Sequence, residues 1–80
     1  MKVTVVGKSH RVGVSKQGKN YDFTTIMAEY SMRANDDNDG VQVDRINVDV
    51  RMMPYELIFV GTTYELDFDR SGYLLGIVEV

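Results

Sequence analysis

The sequence contains no cysteine, and it has only one proline and one histidine among its 80 residues. Without cysteine the chain can form no disulfide, thiolate nucleophile or zinc–thiolate cluster, and the single histidine, His10, argues against a histidine-built metal site. No apolar run approaches the roughly 20 residues that a membrane-spanning helix needs, and the N-terminus lacks the pattern of a signal peptide. We therefore expect one domain over residues 1–80, cytoplasmic, with no cofactor and no membrane partner.

Charge is strongly segregated along the chain. The formal net charge is −3, but residues 1–21 hold five basic residues and no acid, whereas residues 22–80 hold all twelve acids and four arginines. The first segment is therefore +5 and the second −8. Such asymmetry indicates a polyanion as the partner of the basic segment. The alternative is a solvated basic strand pair whose charges serve only solubility.

Apolar residues alternate at period two along most of the chain, which predicts strands throughout and no long helix. The predicted order is a strand over 2–14, a turn at 17–20, a strand over 21–33, a loop over 34–40, a strand over 41–52, a single helical turn within 53–59, a strand over 63–69, a turn at 71–72 and a strand over 73–80. The apolar parity changes within the second and third strands, which predicts a bulge or strong coiling there. The fold class is therefore all-β, a small five-stranded antiparallel barrel of the oligonucleotide-binding (OB) type, with an SH3-like barrel as the alternative.

The acidic loop follows the first half of a calcium-binding pattern. Its first, third, fifth and sixth places are Asn35, Asp37, Asp39 and Gly40, but the twelfth place is Ile46, where that pattern requires a bidentate glutamate. We therefore predict no metal site.

The sequence also offers no nucleophile with a general base in a position suited to hydrolysis. Ser9 and His10 are adjacent, so on one strand their side chains point to opposite faces. A hydrolytic site needs the base within hydrogen-bond reach of the nucleophile. We therefore predict no enzymatic activity.

The most informative segment is a basic hairpin that ends in two aromatic residues, Tyr21 and Phe23. Residues two apart on a strand share a face and lie about 7 Å apart, which is close to the stride of successive bases along a single strand. The basic residues of the hairpin are Lys8, Arg11, Lys16 and Lys19. Phosphate neutralisation beside aromatic stacking is typical of single-strand binding. The alternative for both aromatic side chains is a place in the core.

Residues 13–21, Gly-Val-Ser-Lys-Gln-Gly-Lys-Asn-Tyr, resemble the DNA-binding wing of the gene V family, the helix-destabilising, single-stranded-DNA-binding proteins of filamentous bacteriophages. That family shows the same Gly-Val-Ser-basic-Gln-Gly-Lys run, and Asn20 stands where the coliphage members have proline. Looser similarity extends to Pro54-Tyr55, to Gly61 and to residues 63–66.

The resemblance implies an OB-type barrel that forms a symmetric homodimer and coats phage single-stranded DNA during replication in the bacterial cytoplasm, with RNA as an alternative ligand. It also implies roles at matched positions. Arg11, Lys16 and Lys19 match basic wing residues, Tyr21 matches the stacking tyrosine, and Phe23 stands where the family has an apolar residue that touches bases.

Two positions match the family less closely. Tyr73 corresponds to the aromatic residue of the family's last hairpin, although that hairpin is shorter here, and the family's basic residue in the third strand is either Arg45 or Arg51. The predicted nucleic-acid-binding residues are Lys8, Arg11, Lys16, Lys19, Tyr21, Phe23 and Tyr73. Two other functions remain open: a small-barrel module that binds a peptide, and a regulatory subunit of a replication complex.

Overall fold

A computed structural model describes residues 1–31 and 41–80 of the chain. Within these ranges the elements are β1 (Lys2–Val14), β2 (Asn20–Ser31), β3 (Val41–Asp49), a 3₁₀ helix (Tyr55–Leu57), β4 (Thr63–Phe68) and β5 (Leu74–Glu79). The strands pair antiparallel in one sheet of order β3-β2-β1-β4-β5. The predicted all-β, five-stranded antiparallel fold is confirmed. The predicted loop over 34–40, its partial calcium pattern and the strand end at 32–33 lie outside the described residues.

The sheet is curled but not closed into a barrel. Over residues 1–31 and 41–80, β3 and β5 form the two edges and are not hydrogen-bonded neighbours. The two edges nevertheless approach each other, because residues 45–47 of β3 line one cleft of about 240 Å³ together with Phe68 and residues 72–74. A five-stranded barrel of OB type is itself partly open.

The bulges lie elsewhere than the sequence predicted. β2 pairs with β3 in unbroken register along their shared length, so the bulges predicted within these two strands are wrong. The bulge is in β1, where Val6 is an extra residue between the pairs that Val5 and Gly7 make with β2. A second irregularity follows Asp67 in the β4–β5 hairpin. Apolar parity changes in β2 because this strand carries apolar side chains on both faces.

β3 ends at Asp49, three residues before its predicted end at Met52. The Oδ1 atom of Asp49 accepts a hydrogen bond from the backbone N–H of Arg51 at 2.8 Å, and its carbonyl accepts one from the N–H of Met52 at 2.9 Å. An aspartate side chain that bonds the backbone two residues on forms a turn in competition with the strand. The helical turn predicted within 53–59 is confirmed as the 3₁₀ helix.

The core occupies one face of the curled sheet. Its buried residues are Val3, Val5, Ile26, Ala28, Val48, Ile58, Tyr64, Leu66 and Ile77. Tyr64 is the largest fully buried side chain among the described residues, and its hydroxyl accepts a hydrogen bond from the N–H of Phe59 and donates one to the carbonyl of Leu57. These bonds satisfy the buried hydroxyl and fix the segment between β3 and β4 against the core.

Candidate nucleic-acid interface

The β1–β2 hairpin continues beyond the end of β3. The last cross-strand pair of β2 with β3 is Phe23 with Asp49, whereas β1 and β2 stay paired as far as Val14 and Asn20. We call residues 11–23 the wing. None of these residues belongs to the buried core cluster, so their side chains are available for other contacts.

The loop at the wing tip is closed by Ser15. Its N–H donates to the carbonyl of Lys19 at 2.8 Å, its carbonyl accepts from the N–H of Gly18 at 2.9 Å, and its Oγ accepts from the N–H of Lys19 at 3.1 Å. Gly18 has φ +78°, in the left-handed region that favours glycine. The loop displays Lys16 and Lys19 as exposed side chains at the tip.

The predicted aromatic residues and Arg11 share one face of the sheet. Residues directly opposite each other on neighbouring strands point to the same side, and Arg11 is opposite Phe23 while Gly13 is opposite Tyr21. The buried side chain of Thr24 points to the other side, toward the core. We call the side that carries Arg11, Tyr21 and Phe23 the outer face.

Tyr21 and Phe23 form a tilted pair whose ring centroids lie 5.7 Å apart at an interplanar angle of 41°. Tyr21 is 41% exposed and Phe23 is half-buried. Neither residue is part of the core cluster, so the alternative core role does not fit their positions. The two rings offer a stacking surface, and Arg11 is the cross-strand neighbour of Phe23.

Gly13 makes room for the Tyr21 ring. A Cβ atom at residue 13 would lie 2.5 Å from Oη and 2.8 Å from Cζ of Tyr21, so the ring crosses the backbone of the opposite strand at this glycine. The sequence contains the signal, a glycine in a strand, which marks a close approach. Only the cross-strand register shows that the Tyr21 ring is the group that approaches Gly13.

The outer face continues from the wing onto β3. Arg11, Phe23 and Thr25 line a concavity of about 360 Å³ together with Arg45 and Asn47. Arg45 and Asn47 also line the neighbouring 240 Å³ cleft, which reaches Tyr73. Tyr73 is 74% exposed. The structure therefore brings together Arg11, Phe23, Arg45 and Tyr73 along two adjoining concavities. Thr25 and Asn47 line the same surface, and the sequence analysis did not predict them.

The two candidate arginines of the third strand differ in their surroundings. The Arg51 guanidinium donates to both carboxylate oxygens of Asp49, at 3.1 and 3.2 Å. These hydrogen bonds raise the pKa of Arg51 and hold the pKa of Asp49 below its usual value. Arg45 lies within β3 on the outer face, opposite Met27, and has no ion-pair partner among residues 1–31 and 41–80. Its position and charge make Arg45 the better candidate.

Lys8 is separated from the other predicted contacts. It is opposite Ile26, whose side chain is buried in the core, so Lys8 lies on the reverse of the outer face. Its ammonium donates to the carbonyl of Tyr55 at 2.9 Å and lies 3.8 Å from the centroid of the Tyr55 ring. Lys8 therefore lies on the opposite side from Arg11, Tyr21 and Phe23, and its contact with nucleic acid stays a prediction.

No family model matches the chain, and neither a curated protein nor a solved structure matches it. The resemblance to the gene V family therefore depends on the residues quoted above. In the described part of the chain no helix is long and apolar enough to cross a membrane. Among the same residues no three His, Asp or Glu side chains are grouped so that they could hold a metal ion.

Proposed function

We propose that this protein binds single-stranded DNA through the outer face of the wing and its continuation on β3. The observation that carries the proposal is the Tyr21–Phe23 pair outside the core, with Arg11 opposite Phe23 and two lysines at the wing tip. Aromatic rings stack on any base, and basic side chains neutralise the backbone, so this combination binds single strands with little sequence preference.

Each group has a distinct role in this proposal. Tyr21 stacks on a base and Phe23 contacts the next one, because the two rings are 5.7 Å apart on one face. Lys16 and Lys19 neutralise phosphates at the tip. Arg11 and Arg45 line the 360 Å³ concavity and hold the strand as it leaves the aromatic pair. Tyr73 lies next along this surface and offers a further ring.

The resemblance to the gene V family supplies the setting of this proposal. In that setting the protein coats a displaced strand during phage DNA replication in the cytoplasm of a bacterial host. It has no enzymatic activity and needs no cofactor.

Competition in a gel shift tests the proposal. A labelled single-stranded oligonucleotide is displaced by unlabelled single-stranded DNA, duplex DNA or RNA of equal length. We expect single-stranded DNA to compete best and duplex worst, because the bases of a duplex are already stacked on each other and cannot reach Tyr21. Equal competition by duplex would contradict stacking, and the absence of any shift would contradict the function.

A peptide is the alternative ligand with an observation in its favour. A cavity of about 650 Å³ runs along the wing and includes Val12, Val14 and Val50 beside the aromatic pair. Val12 and Val14 are 65% and 63% exposed. A peptide bound there by apolar contact would keep its affinity in high salt, whereas counterion release makes nucleic-acid binding fall steeply with salt.

We further propose that the protein is a homodimer. The described residues contain nine buried apolar side chains in the core, which is a small number, and association is a common supplement for domains of this size. Sedimentation at micromolar concentration should give about twice the chain mass of 9.1 kDa. A stable monomer at that concentration would contradict the dimer and weaken what the resemblance implies.

A further inference from the structure

On the reverse of the outer face, the aromatic ring of Tyr55 connects β1 to the segment between β3 and β4. His10 stacks on Tyr55 with ring centroids 5.0 Å apart and an interplanar angle of 11°. Lys8, two residues earlier on the same face of β1, lies 3.8 Å from the centroid of that ring. It also donates to the Tyr55 carbonyl at 2.9 Å. Cation–π and stacking contacts of this kind each stabilise the fold modestly and favour a particular relative orientation of the two groups.

The contact extends to both strands of the hairpin. His10 Nε2 lies 2.6 Å from Oδ1 of Asp22, which is on β2. The Asp22 carbonyl accepts a hydrogen bond from the N–H of Val50 at 3.3 Å, the last backbone link between β2 and the segment after β3. Tyr55 is therefore joined to β1 directly and to β2 through His10.

The backbone around Tyr55 is held in place by hydrogen bonds and by the core. The 3₁₀ helix Tyr55–Leu57 is closed by hydrogen bonds from Leu57 N–H to the Pro54 carbonyl at 3.0 Å and from Ile58 N–H to the Tyr55 carbonyl at 3.2 Å. Ile58, which follows, is fully buried in the core. Because Tyr55 is anchored to the core in this way, its contacts with Lys8 and His10 hold the hairpin in a fixed position relative to the core.

The hairpin has little other support in this region. β1 pairs with β4 only over residues 2–4, so from residue 5 onward β2 is its only paired neighbour among the described strands. At residues 20–22, β2 in turn pairs only with β1. An isolated two-stranded hairpin is marginally stable in water, so contacts that fix its base also determine how firmly its tip is held.

We propose that Tyr55 is a positioning residue that fixes the angle of the wing against the core, with Lys8 and His10 as its partners on β1. The ring contacts His10 and Lys8, which lie on the reverse of the hairpin. It pre-organises Tyr21, Lys16 and Lys19 without contacting the ligand, which reduces the ordering cost of binding. This effect on affinity rests on the proposed function, whereas the effect on the wing itself does not.

The first experiment compares Tyr55→Leu with Tyr55→Phe. Leucine removes the ring and keeps the backbone carbonyl, whereas phenylalanine keeps both. Phe59→Leu is the control, because Phe59 is a 54% exposed aromatic residue of the same connection. Amide hydrogen exchange at residues 12–14 and 20–22 is measured without nucleic acid. We expect exchange about five- to twentyfold faster in Tyr55→Leu and near wild-type rates in the other two variants. Unchanged wing exchange in a folded Tyr55→Leu protein would overturn the proposal.

The second experiment separates positioning from phosphate contact at Lys8. Lys8→Met keeps most of the aliphatic stem and removes the charge, and Lys16→Met makes the same change at the tip. Lys8→Met should speed wing exchange and lower oligonucleotide affinity about threefold while the salt slope stays unchanged. Lys16→Met should flatten the slope and leave exchange unchanged. A flattened slope with unchanged exchange in Lys8→Met would overturn the assignment of Lys8 to the positioning group.

The two proposals fail in different ways. If wild-type protein binds no oligonucleotide but Tyr55→Leu loosens the wing, the proposed function is wrong and the positioning role stands. If wild-type protein binds oligonucleotides but Tyr55→Leu leaves both wing exchange and affinity unchanged, only the positioning role is wrong.

Discussion

The β1–β2 and β4–β5 hairpins of this protein are built alike and charged oppositely. Each loop has a glycine in the left-handed region, Gly18 at φ +78° and Gly72 at φ +86°. Each is also closed by one side-chain oxygen, that of Ser15 in the β1–β2 loop and that of Asp69 in the β4–β5 loop. Residues 7–26 nevertheless carry four basic residues and one acid, whereas residues 63–80 carry four acids and one arginine. Backbone construction therefore does not distinguish the hairpin that we propose binds nucleic acid from the acidic hairpin; the side chains do.

The hairpins also differ in what they give to the core. The β4–β5 hairpin buries Tyr64, Leu66 and Ile77, whereas residues 11–23 bury no apolar side chain in the core cluster. Substitutions on the wing should therefore change binding more than stability. Substitutions of the inward residues of the other hairpin should do the reverse.

Of these substitutions, removing the Tyr21 ring should have the largest effect on binding. Tyr21→Ala should weaken binding to single-stranded DNA by about 1–3 kcal/mol, or roughly 5- to 150-fold, and Tyr21→Phe should keep most of the affinity. The melting temperature should stay near that of wild type, because Tyr21 is 41% exposed. Phe59→Ala, at an exposed aromatic outside the wing, is the control. Native melting with unchanged affinity would refute stacking by Tyr21, and strong destabilisation would return Tyr21 to the core.

Charge at the wing tip should have the next largest effect. Lys16→Ala and Lys19→Ala should each weaken binding about fivefold at 0.1 M salt and flatten the slope of log K against log salt by about 0.7, the value for one phosphate on a single strand. Arg70→Ala removes an exposed cation from the loop of the acidic hairpin and should leave the slope unchanged. Equal slopes for all three variants would show that the tip lysines do not contact phosphates.

A subtler change moves the tyrosine ring without removing it. Gly13→Ala places a methyl group where the Tyr21 ring now lies, so affinity should fall about two- to tenfold, less than on truncation, and the salt slope should not change. Gly76→Ala is the matched control, because a Cβ atom there meets nothing within 4 Å. In a Tyr21→Ala background Gly13→Ala should have no further effect. An equal loss in both backgrounds would mean that Gly13 acts on the strand itself.

The smallest effect concerns Asp49 at the base of the wing. Hydrogen bonds from Arg51 lower the pKa of this carboxyl in the folded protein. Asp49 therefore stabilises the fold above its unfolded pKa of about 3.9, and this contribution is lost as the pH falls through the lower folded value. Asp49→Asn should melt about one to two degrees below wild type at pH 6, and the difference should shrink as the pH falls below about 3.9. A difference that stays constant as the pH falls would assign the effect to something other than the charge.

Local patterns predicted the wing well. The period-two spacing places Tyr21 and Phe23 on one face, and the turn at 17–20 contains the glycine that adopts positive φ. The early end of β3 was missed because Asp49 bonds the following backbone instead of continuing the ladder.

The strand register explains why Lys8 and Arg11 lie on opposite faces. Val3 and Val5 point to the core, so an unbroken β1 would send even-numbered residues outward and Arg11 inward. The Val6 bulge exchanges the two faces. Arg11 thereby joins the aromatic pair, and Lys8 faces Tyr55 instead. Arg45, Asn47 and Tyr55 come from other parts of the chain, and only the assembled sheet shows that they adjoin the wing.

Binding of single-stranded DNA through the wing is tested most directly by the salt dependence of wild-type affinity, measured by fluorescence anisotropy on a labelled oligonucleotide. If two to four phosphates are neutralised per protomer, log K should fall with log salt at a slope of roughly −1.4 to −2.8. The same slope should be shallower in Lys16→Ala/Lys19→Ala and unchanged in Arg70→Ala. A wild-type slope indistinguishable from zero, or no binding to single strands at low salt, would contradict the account.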